Sequence, residues 1–153
     1  MKNTSYNSRV IRASAEKIYQ ALTDPQALAS WQAPADMTAS VHDFDGREGG
    51  GYTMSLFYAE TDEVSRGKTA GKEDRFSARF VKLDPPYRVT QAVRFDTDNP
   101  AFGGEMIMDV TLEELGEGTK VSFFFSDIPP GIRPEDNEAG TASSLEKLAA
   151  YVE

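Results

Sequence analysis

The chain has 153 residues, 39% hydrophobic and 27% charged, with a formal net charge of −9 and no cysteine. That length and composition indicate one soluble domain, residues 1–153, large enough to bury a hydrophobic core. The negative balance argues against nucleic acid and anionic lipid as partners, and the missing thiols exclude disulfides and thiolate metal sites.

No apolar run approaches the roughly 18–20 residues that a bilayer requires, so no stable membrane insertion is expected. The N-terminal stretch MKNTSYNSRV has no apolar core of the secretory kind, which leaves a cytoplasmic location as the expectation.

Residues 6–12, YNSRVIR, form a first strand. Ser14 is a suitable N-cap for a short helix through Ile18, Tyr19, Ala21 and Leu22, because its hydroxyl can accept from a free backbone N–H of the first turn. Asp24-Pro25 stops that helix, and Pro25 opens a second one, PQALASWQ, ending before Ala33-Pro34.

From Met37 the chain alternates apolar and polar residues, the period of half-buried strands. MTASVHDF is followed by the turn DGREGGG, then by Tyr52, Met54 and Leu56 in alternation. Residues 60–74 are polar and suggest a long exposed hairpin loop. Phe76, Ala78 and Phe80 mark the next strand, Val89, Gln91, Val93 and Phe95 another. Met106, Met108, Val110 and Leu112 follow the loop DTDNPAFGG, and a turn at Gly116–Gly118 leads to Val121, Phe123 and Phe125. The last segment, Arg133 to Glu153, is a helix: Leu145, Leu148, Ala149 and Val152 recur on one face. Pro134 suits its first turn, and Glu135, Asp136 and Glu138 complement its positive dipole end.

The order β-αα-β-β-β-β-β-β-α, with short turns, predicts an α+β fold. An antiparallel meander has one solvated face and one face covered by the final helix.

Three blocks, ASAEKIYQALTDPQALASWQAP at 13–34, DGREGGGY at 45–52 and GTASSLEKLAAYVE at 140–153, resemble the START/polyketide-cyclase (SRPBCC) superfamily. Within it they are similar to the activator of heat-shock-protein-90 ATPase homologue family. Tyr19 replaces the usual Trp, Trp31-Gln32 replaces Trp-Trp, and Thr141 follows Gly140 where the family pattern has an aromatic. The resemblance implies a helix-grip fold, a curved antiparallel sheet of about six to seven strands wrapped around a long C-terminal helix, with two short helices after strand one. It also implies a tendency to hold ligands between sheet and helix. A chaperone partner follows from the family name alone.

Catalytic and metal chemistry find little to stand on. His42 is the only histidine, and it falls out of phase with Val41, so a hydrogen-bonded or solvated ring is expected rather than a catalytic base. DTDN at 96–99 and ETDE at 60–63 lack the glycine and terminal glutamate of a calcium loop. The GREGGG stretch lacks the lysine ending and the helix of a phosphate loop, so Gly49 to Gly51 are expected to serve a hairpin or bulge. No catalytic residue, metal site or cofactor is assigned.

Read alone, the apolar strand faces fit a filled core of aromatics and methionines; taken with the resemblance they fit a cavity. The helix is slender at 139–144 and bulky only from Leu145 onward, so a cavity of a few hundred Å3 is expected near its first half. The expected lining is Tyr52, Met54, Phe76, Phe80, Gln91, Phe95, Met106, Met108, Phe123 and Leu145, with Trp31, which the resemblance places near the cavity mouth. Gln91 sits in an apolar phase and needs a neighbour, a water or a ligand to bond. Arg133 is expected mainly in surface ion pairs, with an anionic ligand head as a lesser alternative.

The resulting expectation is a non-catalytic carrier or sensor of a small hydrophobic or amphipathic ligand. A cyclase-like enzyme using the same cavity and a co-regulator of a chaperone ATPase are the alternatives. An exposed strand edge would allow a homodimer.

Overall fold

The computed structural model describes residues 3–33, 37–58 and 73–153; residues 60–72 of the expected hairpin loop, with the ETDE stretch, lie outside them, whereas Glu73 and Asp74, also expected in that loop, are paired in a strand and Asp74 is buried. Seven strands form one antiparallel sheet: β1 (Ser5–Ile11), β2 (Thr38–Asp45), β3 (Gly51–Phe57), β4 (Glu73–Asp84), β5 (Arg88–Phe95), β6 (Met106–Leu115) and β7 (Gly118–Ser126). The helices are α1 (Ala15–Leu22), α2 (Pro25–Trp31) and the long α3 (Pro134–Val152), and a short 3-10 turn occupies Pro100–Phe102. The sheet order β1-β7-β6-β5-β4-β3-β2 is a meander with the first strand added beside the last. This is the expected helix-grip fold, with β1 and β2 as the sheet edges.

Local chemistry explains the element ends. The Ser14 hydroxyl accepts from Lys17 N at 3.2 Å and the Asp24 carboxylate from Ala27 N at 2.9 Å, capping α1 and α2. Gly49 is the left-handed residue of the glycine run, with φ 85°. Gly51 serves a different need: a Cβ there would stand 2.0 Å from the Ala78 carbonyl oxygen of β4. Positive φ is therefore required at one position of the run and backbone proximity at another.

Alternation sets the two faces. Tyr52, Met54, Phe76, Phe80, Gln91, Val93, Met106, Met108, Phe123 and Phe125 are all buried on the inner face. On α3, Leu145, Leu148, Ala149 and Val152 are buried as the periodicity requires, whereas Tyr151 turns outward. Ile11, Ile18, Leu22 and Leu28 complete the core, bringing β1, α1 and α2 to the bulky half of α3. Burying each such side chain contributes about 1.5–3 kcal/mol before entropy is counted.

Candidate functional site

The inner face of α3 changes character along its length. At 137, 141 and 144 it presents Asn137, Thr141 and Ser144; from 145 on it presents Leu145, Leu148 and Val152. Small polar side chains reach less far toward the sheet than leucine does. Beneath the first half, the space left by the sheet's curvature stays open as a cavity of about 310 Å3.

Its floor comes from neighbouring strand ends that the register brings together. Phe76 pairs with Phe95, Val93 with Met106, and Met108 with Phe125. Phe123, Trp31 and Leu56 complete the apolar wall. Trp31 meets Phe123 edge-on at 6.1 Å between ring centres. Its indole N–H donates to the Ala21 carbonyl at 2.8 Å, so the ring is held where its apolar body meets the cavity.

The polar wall is made by Gln32, Asp74, Asn137, Thr141 and Ser144, with Arg133 and Asp136 at the exposed rim. Ser144 Oγ donates to the Gln32 carbonyl at 2.7 Å, and Lys147 Nζ to the Ala33 carbonyl at 2.6 Å, tying the end of α2 to α3. The Tyr58 hydroxyl donates to Asp74 Oδ2 at 2.9 Å. Ser5 Oγ donates to Asn137 Oδ1, joining β1 to the same turn of α3. The Arg133 guanidinium is directed to Glu135 at 2.9 Å. That hydrogen bond holds the Glu135 carboxyl below its ordinary range, and the same contact raises Arg133.

Six of the eleven residues expected from the sequence stand on this wall: Trp31, Phe76, Phe95, Met106, Met108 and Phe123. Tyr52, Met54, Phe80, Gln91 and Leu145 are not among its lining; they are buried in the packed part of the core. Tyr52 and Phe80 lie 5.8 Å apart between ring centres and share Phe44 as a third ring. The reason is the second layer: α1 and α2 reinforce the bulky half of α3 over that part of the sheet. Gln91 finds a neighbour rather than a ligand, its Oε1 lying 3.1 Å from the Tyr52 hydroxyl.

The sequence reading missed Asp74, Gln32, Asn137 and Leu56 as wall residues. Asp74 had a signal, a carboxylate in phase with Phe76 and Phe80 on the inner face. Leu56 had one too, in alternation with Tyr52 and Met54 on β3, whereas Gln32 and Asn137 are set by the meeting of α2, α3 and β1, which no local pattern encodes. His42 Nε2 lies 3.3 Å from Ser55 Oγ, and the pairing of His42 with Thr53 puts it on the outer face. Among the described residues no group of three or more His, Cys, Asp or Glu is placed to hold a metal ion, and no helix is long and apolar enough to cross a membrane.

Comparison with known proteins agrees with this architecture. The family model described as Activator of Hsp90 ATPase homolog 1-like protein matches residues 12–153. The crystal structure of protein CV1439 from Chromobacterium violaceum is 35% identical, covering 98% of this chain and 96% of that one, with a TM-score of 0.86. Protein Ms6760 from Mycobacterium smegmatis shares the fold at 18% identity and a TM-score of 0.76, covering 98% and 90%. The AHSA1-like protein from Aeromonas hydrophila does so at 21% and 0.72, covering 97% and 91%. A search of curated proteins returns no match.

Proposed function

The chain belongs to the Activator of Hsp90 ATPase homolog 1-like family, and from that premise we propose that it binds a small amphipathic molecule, without turnover, between the sheet and the first half of α3. The observation that carries this reading is the cavity itself. A volume of about 310 Å3 is at the small end of the usual range for small-molecule sites. Five aromatic rings and two methionines meet a few polar groups there, the composition such sites share. A packed core would instead close to crystal-like density.

Turnover would call for convergent acid–base groups within hydrogen-bond reach of one another. Among the described residues Asp74 and Asp136 are the carboxylates at the cavity, and no histidine accompanies them. Carrying or sensing therefore fits the site better than catalysis.

Trp31 is the chain's one tryptophan and stands on the cavity wall, so its fluorescence reports occupancy. Titration with 4-phenylbutan-1-ol, a neutral amphipathic probe, is expected to change that emission saturably. The substitution Thr141→Trp would place the family's aromatic into the space, so with 4-phenylbutan-1-ol in place it should abolish the heat-stabilising effect that wild type shows. An unaltered Trp31 signal up to solubility would sink the reading.

A further inference from the structure

The hydrogen-bonding capacity of the cavity wall divides between hydroxyls and amides. Thr141 Oγ1 donates to the Asn137 carbonyl at 2.8 Å and Ser144 Oγ to the Gln32 carbonyl at 2.7 Å. Each hydroxyl has one proton, so these two side chains have none left for a ligand. The side-chain amides differ, because each carries two N–H donors. Gln32 meets the Tyr52 hydroxyl at 3.4 Å, and Asn137 meets the Ser5 hydroxyl. Whichever way either amide is turned, one hydroxyl oxygen takes at most one of its two N–H groups. At least one N–H of Gln32 and one of Asn137 therefore has no partner among the described residues, and both side chains border the cavity.

The two donors lie at different depths. Ser144, whose hydroxyl holds the Gln32 main chain, is the last polar residue of α3 before Leu145. Asn137 lies two turns earlier, about 10 Å along the helix, next to the rim residue Asp136. Gln32 also has support behind it, since the Tyr52 hydroxyl lies 3.1 Å from the buried Gln91. Its amide is thus held on the core side while it borders the cavity.

A spare N–H beside an apolar wall is matched by an acceptor that brings no proton of its own. Charge decides which acceptor. Among the described residues Arg133 is the one cation of the lining, and it stands at the rim, turned to Glu135 at 2.9 Å. A carboxylate at the deep end would be buried without a counter-charge there, whereas a neutral carbonyl avoids that penalty. Resting on the binding reading above, we infer that the ligand carries an uncharged carbonyl group at its deep end, and that Gln32 donates the N–H that recognises it. The apolar body lies among Trp31, Met108 and Phe123.

Three probes of one shape separate the cases: 4-phenylbutan-2-one, its methylene counterpart 2-methyl-4-phenylbut-1-ene, and 3-phenylpropanoate, each titrated by Trp31 fluorescence at about pH 7. The ketone is expected to bind wild-type protein at least about ten-fold more tightly than the carboxylate. Gln32→Met keeps the side-chain length and removes both N–H groups. It should weaken the ketone at least about five-fold and shift the alkene by less than about two-fold. Gln32→Glu keeps the shape and an acceptor for Tyr52 and should weaken the ketone likewise, so the test stays open if the methionine variant does not fold. Ketone and alkene weakened alike, or neither weakened, would overturn the role of Gln32. A carboxylate that binds as well as the ketone would overturn the uncharged head. In each case saturable binding of 4-phenylbutan-1-ol would leave the cavity reading standing, whereas silence from all four probes would overturn both.

Discussion

Tyr52 shows how a single buried polar group is made tolerable. Its hydroxyl lies 3.1 Å from Gln91 Oε1 and 3.4 Å from Gln32 Oε1. One hydroxyl carries one proton, so a fully satisfied arrangement has one amide turned to donate its N–H to the tyrosine oxygen. Burial pushes the Tyr52 hydroxyl up to about 12, the two amide contacts offsetting only part of it. A raised pKa means that the folded state holds the proton more tightly than the unfolded chain does. Its contribution is therefore fully present below about pH 10 and is lost as pH climbs to about 12, a decline of roughly 3 kcal/mol. Denaturant titrations across that window should show the decline, and Tyr52→Phe should flatten it. The same variant should cost about 1–3 kcal/mol at neutral pH, because Gln91 loses its neighbour. Equal alkaline slopes in the two proteins would contradict this account.

Among the elements, α3 divides into two halves with different duties. Leu145, Leu148, Ala149 and Val152 are buried against α1, α2 and the sheet. Leu148→Ala is expected to cost about 2–5 kcal/mol, through lost burial and the cavity left behind. Leu148→Asp should prevent folding, since an unpaired carboxylate in that core costs far more; an unchanged melting temperature would show that the helix is not clamped there. Thr141 and Ser144 are buried too, but they reach backbone carbonyls of α3 and α2 instead of apolar neighbours. The period of α3 was legible in the sequence, as was the slightness of its first half. The outward turn of Tyr151 was not, because an apolar ring at a helix margin satisfies the pattern on either side.

At the scale of the whole molecule, the two halves predict uneven local stability. Backbone amides at 145–152 should exchange with solvent more slowly than those at 137–144, because opening the second half breaks more apolar burial. A bound probe at about a hundred times its Kd should add about 2.7 kcal/mol to the unfolding free energy. That gain should concentrate as exchange protection in the first half of α3 and the strand ends beneath it. Uniform protection along the helix would argue against a ligand seated at 137–144.

The strands, the three helices, the Ser14 cap of α1 and the inward phase of the strands were determined by local rules: alternation, helical period, proline and glycine placement. Those rules act within a few residues, so one sequence window is enough to express them. Which inward residues meet a cavity and which meet another side chain was decided only by tertiary structure. Tyr52 and Phe76 obey the same alternation on adjacent strands, yet one is packed with Phe44 and Phe80 while the other borders open space. The difference lies in what stands above them. Over one end of the sheet α1, α2 and the leucines of α3 converge, and over the other a helix carrying Gly140, Thr141 and Ser144 passes without filling the distance. Packing is a property of surfaces that meet from distant parts of the chain, and the opening beneath α3 exists only once they have met.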